Sequence, residues 1–180
     1  MKRLSIALAL AFGLLTIVRD IQAQGIPQLV VVLVVDQMRA DYLQTFDRHW
    51  HGGFRTLLSE GLVFDNSRYP YLNTLTCAGH STIGTGALPH THGMVANAWW
   101  DRTPRRMCGC TSDPEAADIS YGRPAQIGNS GKTILVPTLA DELRAQKPGA
   151  RVVSLSLKAR SAIGLAGHGG DAVVWFEDES

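Results

Sequence analysis

The chain has 180 residues, 45% of them apolar and 18% charged, with a formal net charge of +1. That length suits one domain with a substantial core, and that composition excludes an intrinsically disordered chain. No basic run or patch is present, which argues against a nucleic-acid partner.

The first residues read as an export leader. Lys2 and Arg3 form a basic start, Leu4–Val18 is apolar, and Ile21-Gln22-Ala23 resembles a cleavage site ending on a small residue. The expected division is a signal peptide over 1–23 and one α/β domain over 24–180. The apolar run is short of the ~20 residues of a membrane span, so no stable anchor is expected after cleavage. The mature chain is expected in the periplasm or outside the cell.

Leu29–Val35 (LVVVLVV) is a β-branched run that predicts a central parallel strand covered on both faces. Asp36 follows it. In open α/β sheets ligands bind at the carboxyl ends of strands, so Asp36 is a candidate metal ligand, with capping of the next helix as the alternative. Helices are predicted over Ala40–Phe46 and Phe54–Glu60, the second stopped by Gly61. Leu62–Ser67 reads as extended and Tyr69-Pro70-Tyr71 as a turn.

Leu72–Asn97 is dense in hydroxyls, His and Gly. A helix is predicted from Thr76 to about Gly84, with Cys77, Ala78 and Gly79 as small residues after its start. A hydroxyl at a helix N-terminus faces unpaired N–H groups and the positive end of the dipole, which together favour an anion. The simpler role for Thr76 is to cap the helix. Ala87–Gly93 reads as a loop, and Trp99–Thr133 as a long polar excursion with little periodicity.

A helix over Thr138–Gln146, strands over Arg151–Leu155 and Ala172–Phe176, and a short helix over Ala159–Leu165 complete the pattern. The alternation argues for a mostly parallel sheet with helices on both faces. Lys158 and Arg160 fall just beyond a strand's carboxyl end. An acid, a hydroxyl and paired cations at one crevice suit phosphoryl transfer. The last residues, Glu177–Ser180, follow a strand without a helix, which reads as a cut.

Three cysteines are present. An odd number in an exported chain leaves at least one unpaired. Cys108-Gly109-Cys110 reads as a local disulfide or as two free thiols, because no second Cys/His pair of zinc-finger spacing accompanies it. Cys77 reads as a small buried hydrophobe.

The segments VVDQMRADYL, LTCAGHSTIGTGALPHTHG with Asn97 after it, SLKAR and AGHGGDAVVWF together resemble the alkaline phosphatase superfamily. The resemblance is to its type I phosphodiesterase/nucleotide pyrophosphatase-like branch, and within it to the phosphate-irrepressible alkaline phosphatases. It implies the N-terminal portion of a three-layer α/β sandwich with a mostly parallel central sheet. It also implies that Asp36 is a zinc ligand and that Thr76 is the nucleophile, its oxygen also on zinc. Asn97 would bind a non-bridging phosphate oxygen, and Lys158 and Arg160 would contact the phosphoryl group. His80, His92 and His168 lie in the matching segments without being implied as zinc ligands. His80 is expected to hydrogen-bond to backbone or to orient the loop, and His49, His51 and His90 are expected to be solvated.

The family completes two zinc sites from later segments of a longer chain, so this chain is expected to be an N-terminal fragment and inactive alone. The expected function is hydrolysis of a small phosphate monoester through a phospho-threonine intermediate. The alternatives are a phosphodiesterase or nucleotide pyrophosphatase of the same fold, and a truncated, non-catalytic phosphate-binding protein.

Overall fold

A computed structural model describes residues 27–120 and 128–176, so the leader expected over Met1–Ala23 lies outside the described residues. The chain divides into two compact units, Met1–Arg39 and Ala40–Ser180.

In the first unit the apolar run does not form the predicted strand. Leu29–Val35 joins no ladder among the described residues, and Leu29, Val31 and Leu33 are exposed. β-branched composition suits a pleated surface, but a strand is held by its ladder partners and by cover on its faces. Asp36 therefore sits inside a turn closed by the Met38 N–H on the Val35 carbonyl, not at the end of a sheet strand.

The second unit opens with α1 (Tyr42–Thr45), a 3₁₀ turn (Asp47–His49) and α2 (Gly52–Glu60). The first helix is shorter than predicted. An aromatic row knits this region: Tyr42 meets Phe46 edge-on, and Trp50 stacks on Phe54 at 4.5 Å. Arg55 pairs with Asp47 at 2.9 Å across the same turn. His49, His51 and His90 are exposed, as expected. Leu62–Ser67 is irregular and enters no ladder.

Next come α3 (Thr76–Thr85) and α4 (Pro89–His92). Each ends on a left-handed glycine, Gly86 and Gly93. The short α4 occupies the predicted loop, with Pro89 at its start, where a missing N–H costs nothing.

The long polar excursion is partly β structure. β1 (Ala98–Asp101) pairs antiparallel with β2 (Arg106–Gly109), and β3 (Ser112–Asp113) with β4 (Gly128–Asn129). The β1–β2 turn is set by Asp101, whose carboxylate accepts the Thr103 N–H at 2.8 Å.

α5 (Leu139–Gln146) starts on a capping box: the fully buried Thr138 hydroxyl accepts the Asp141 N–H, and Asp141 accepts the Thr138 N–H. β5 (Val153–Ser156), α6 (Ala159–Ala166) and β6 (Ala172–Trp175) then form a parallel strand–helix–strand unit, with Val153 opposite Ala172 and Ser156 opposite Trp175. This is the parallel ladder among the described residues, and it matches the predicted order of elements.

The core joins Cys77, Met94, Cys110, Ile134 and Ile163, with Trp99, Ala159, Val173 and Trp175 packed on it. α3 and α6 cross at two glycines. A Cβ on Gly84 would lie 2.3 Å from the Gly164 carbonyl oxygen, and one on Gly164 would lie 3.1 Å from the His80 Cβ. Backbone meets backbone there, which side chains would forbid.

Candidate active site

Thr76 is the first residue of α3, and the residue before it, Leu75, stands at the cap position without a side-chain oxygen. The start of α3 is instead served from a distance. Asn97, at the entrance to β1, accepts the Cys77 N–H on Oδ1 at 2.9 Å. That assignment fixes the amide, because only the oxygen can accept. The Nδ2 group makes no hydrogen bond among the described residues. Thr76 and Asn97, distant in sequence, are thus brought to the same helix start.

His80, one turn along α3, points a ring nitrogen at the Thr76 carbonyl, 2.9 Å away. A carbonyl only accepts, so Nδ1 carries the proton. This is the backbone role predicted for His80.

His92 is fully buried and bonded at both nitrogens: Nδ1 accepts the Met94 N–H at 3.1 Å, and Nε2 lies 3.0 Å from the Thr82 hydroxyl. Tyr71 donates to that same hydroxyl at 2.7 Å. Burial holds the His92 imidazole below its ordinary pKa, and the bond from Met94 needs the same neutral ring.

His168 is also engaged on both sides, with Nδ1 2.9 Å from Asp141 Oδ2 and Nε2 2.8 Å from the Ile134 carbonyl. Both partners accept, which favours the imidazolium. Burial pulls its pKa down, but the bonds to Asp141 and Ile134 outweigh this, and the net direction is up. For Asp141 burial works upward, and its bonds from Thr138 and His168 bring the net direction down. The three motif histidines are thus occupied in holding the fold.

Lys158 stands at the cap position of α6, just beyond β5, exposed and extended; Arg160 is half-buried in the first turn. The Arg160 Nε is buried and has no hydrogen-bond partner among the described residues. Arg160 lies one turn before Gly164, and Thr76 one to two turns before the His80–Gly84 stretch that Gly164 packs on, so the starts lie ~6 Å and ~6–12 Å along their axes from the crossing.

The cysteines pair otherwise than predicted. Cys77 is bonded to Cys110, and Cys108 is free. Burial explains the choice: Cys77 and Cys110 both lie in the core, whereas Cys108 stays in β2 opposite Trp99. Closing a separation of 33 residues stabilises by about 3–4 kcal/mol in the chain-entropy view. The odd cysteine count signalled one free thiol, but nothing in the spacing identified which.

The described residues contain no group of three or more His, Cys, Asp or Glu placed to hold a metal ion. Asp36 and Thr76 belong to different units and are two oxygen donors, fewer than the three protein ligands a catalytic zinc ordinarily takes. These donors alone do not make a zinc site, and no chemical step is derived through one. A broad cleft of about 960 Å³ lies apart from Thr76 and Asn97, lined by Asp118, Asn129, Ser130, His168 and Trp175 among others. No described helix is long and apolar enough to cross a membrane.

Residues 30–163 match the type I phosphodiesterase / nucleotide pyrophosphatase family. Alkaline phosphatase PhoV of Synechococcus elongatus is 41% identical over 84% of this chain, and alkaline phosphatase PafA of Elizabethkingia meningoseptica is 36% identical over 84%. The chain spans 28% of the length of each of these relatives. The crystal structure of wild-type PafA superposes with a TM-score of 0.77 at 37% identity, covering 86% of this chain and 31% of that one. A PafA variant with one threonine, one asparagine, one lysine and one arginine replaced superposes at 0.74 and 34% identity, over 81% of this chain and 28% of that one. The fold is therefore a portion of the alkaline-phosphatase-like α/β architecture, and the chain belongs to the type I phosphodiesterase / nucleotide pyrophosphatase family.

Proposed function

We propose that this chain carries the nucleophile and phosphate-contacting part of a phosphomonoesterase of the alkaline phosphatase superfamily. The observation that carries the reading is the Asn97–Cys77 bond, which brings Asn97 to the helix start that Thr76 opens. In the proposed reaction the Thr76 oxygen attacks phosphorus. The new O–P bond forms as the ester P–O bond breaks, and the alcohol leaves with a proton. Water then cleaves the phospho-threonine, releasing phosphate and restoring the hydroxyl.

Three further points support this reading. The Asn97 Nδ2 group is an uncommitted donor beside the attacked centre. The buried Arg160 Nε lacks a partner among the described residues, and an unpaired buried N–H is costly unless a ligand meets it. The residues replaced in the PafA variant are of the same four types in the same order. Its threonine and asparagine are as far apart as Thr76 and Asn97, and its lysine and arginine as far apart as Lys158 and Arg160.

Zinc dependence belongs to the same proposal, with Asp36 and Thr76 each a candidate oxygen ligand. Export is part of it as well: the Cys77–Cys110 disulfide suits an oxidising compartment.

A monoester carries about two negative charges near neutral pH, because its second pKa is ~6, and a diester carries one. Two cations beside the extra oxygen therefore favour the monoester. Lys158→Ala and Arg160→Ala, made in the protein that carries this chain, are expected to lower kcat/KM for a monoester by about one to two decades each, and far less for a diester. Equal losses on both substrates would move the reading to a phosphodiesterase.

A further inference from the structure

Cys77, Asn97 and Cys110 form a closed ring. The Cys77 N–H donates to Asn97 Oδ1, and the Cys110 N–H donates to the Asn97 carbonyl, both at 2.9 Å. The disulfide joins Cys77 to Cys110 with their Cα atoms 6.6 Å apart. Each link ties together segments distant in sequence: the start of α3, the entrance to β1 and the corner between β2 and β3.

We propose that the Cys77–Cys110 disulfide is a positioning device for Asn97, holding its amide beside the start of α3 so that Nδ2 faces the phosphoryl group. The proposal rests on the roles of Thr76 and Asn97 given above. One neutral hydrogen bond exchanges readily with water and would not by itself hold a short amide in place. Here the amide oxygen and the backbone carbonyl of one residue span two backbones whose separation is set covalently. If Asn97 turned away, the Cys77 N–H would lose its acceptor at a helix start that has no side-chain cap. The clamp is also packed: both cysteines belong to one buried cluster with Met94, Ile134 and Ile163, and the Asn97–Cys110 bond runs on into the β1–β2 ladder at Ala98 and Gly109. Cys77 and Cys110 thus act on the reaction through Asn97 and touch no substrate.

The test is a cycle of kcat/KM for a phosphate monoester in the protein that carries this chain, comparing Asn97→Ala, Cys110→Ala and the double variant. Cys110→Ala alone is expected to lower kcat/KM about tenfold, as coupled neighbours do, and the double variant should be no slower than Asn97→Ala. A merely structural disulfide would give the same factor in both backgrounds; that result, or no loss from Cys110→Ala, overturns the proposal. If Cys110→Ala does not fold, treating the wild type and Asn97→Ala with a phosphine reductant gives the same comparison by the same criterion. Thr76→Ala separates the two levels. If Thr76→Ala and Asn97→Ala keep full turnover, the reading of the site fails and the clamp with it. If both are inactive or nearly so while Cys110→Ala multiplies equally with Asn97→Ala, only the clamp fails.

Discussion

The α3–α6 crossing makes opposite demands on two glycines of one helix. A Cβ on Gly84 would stand 2.3 Å from the Gly164 carbonyl oxygen, 3.3 Å from its carbon and 3.4 Å from the Leu165 Cα. All three are backbone atoms, so no side chain can swing aside and the helices must move apart. Overpacking of this kind costs ~1–3 kcal/mol, against a gain of ~0.5–1 kcal/mol from replacing glycine inside a helix. Gly84→Ala should therefore destabilise by about 1–2 kcal/mol. Gly79 is buried in the same helix, yet a Cβ there would meet only the Thr74 carbonyl oxygen, at an ordinary 3.6 Å. Gly79→Ala keeps the helix gain without the clash and should stabilise by up to ~1 kcal/mol. Thermal unfolding followed by circular dichroism reads both changes. At ~2–4 °C per kcal/mol for a chain of this size, Gly84→Ala should lower Tm by roughly 2–8 °C, and Gly79→Ala should leave it unchanged or raise it. A Gly84→Ala protein as stable as Gly79→Ala would refute the close crossing.

The raised His168 pKa makes its stabilisation full below the ordinary imidazole value of about 6.5 and lost as pH rises through the raised value. The stability gap between wild type and His168→Ala in urea should thus narrow as pH rises above about 6.5; a constant or widening gap would count against the paired imidazolium. Denatured but unreduced protein should react with a thiol reagent at Cys108 alone, and reaction at all three cysteines would rule out the Cys77–Cys110 bond. Intact mass of exported protein should begin after Ala23, and retention of Met1–Val18 would point instead to an anchor.

Elements governed by local signals were legible in the sequence. The helix predicted over Thr138–Gln146, Gly61 after α2 and the order of β5, α6 and β6 are all written in neighbouring residues. Elements governed by distant partners were not. Leu29–Val35 has the composition of a buried strand, yet burial depends on neighbours that composition does not supply. The β1–β2 hairpin lacks a clear alternation, and the β3–β4 pair is too short to show one. The disulfide links residues that only tertiary folding brings together. The four residue types of the proposed site were visible as motifs, but the Asn97–Cys77 bond that relates two of them was not.

That bond also bears on the simplest alternative for Thr76. A helix-start hydroxyl ordinarily serves as a cap, accepting an N–H two or three residues on. Here Leu75 holds the cap position, and the Cys77 N–H goes to an amide twenty residues away in sequence. A locally capped start satisfies itself with one Ser, Thr, Asp or Asn and needs no long-range partner. This start gives up that economy and depends on Asn97, which in turn is tied to Cys110. Such an arrangement costs local independence, and it does not follow from helix stability, which a single serine at position 75 would serve as well. It does follow if the start of α3 must stay open toward a phosphoryl group while an amide donor is held beside it. The Leu75→Ser substitution separates the two accounts: a stability gain of ~1 kcal/mol with unchanged turnover would favour plain capping, whereas loss of turnover without loss of stability is the outcome expected here.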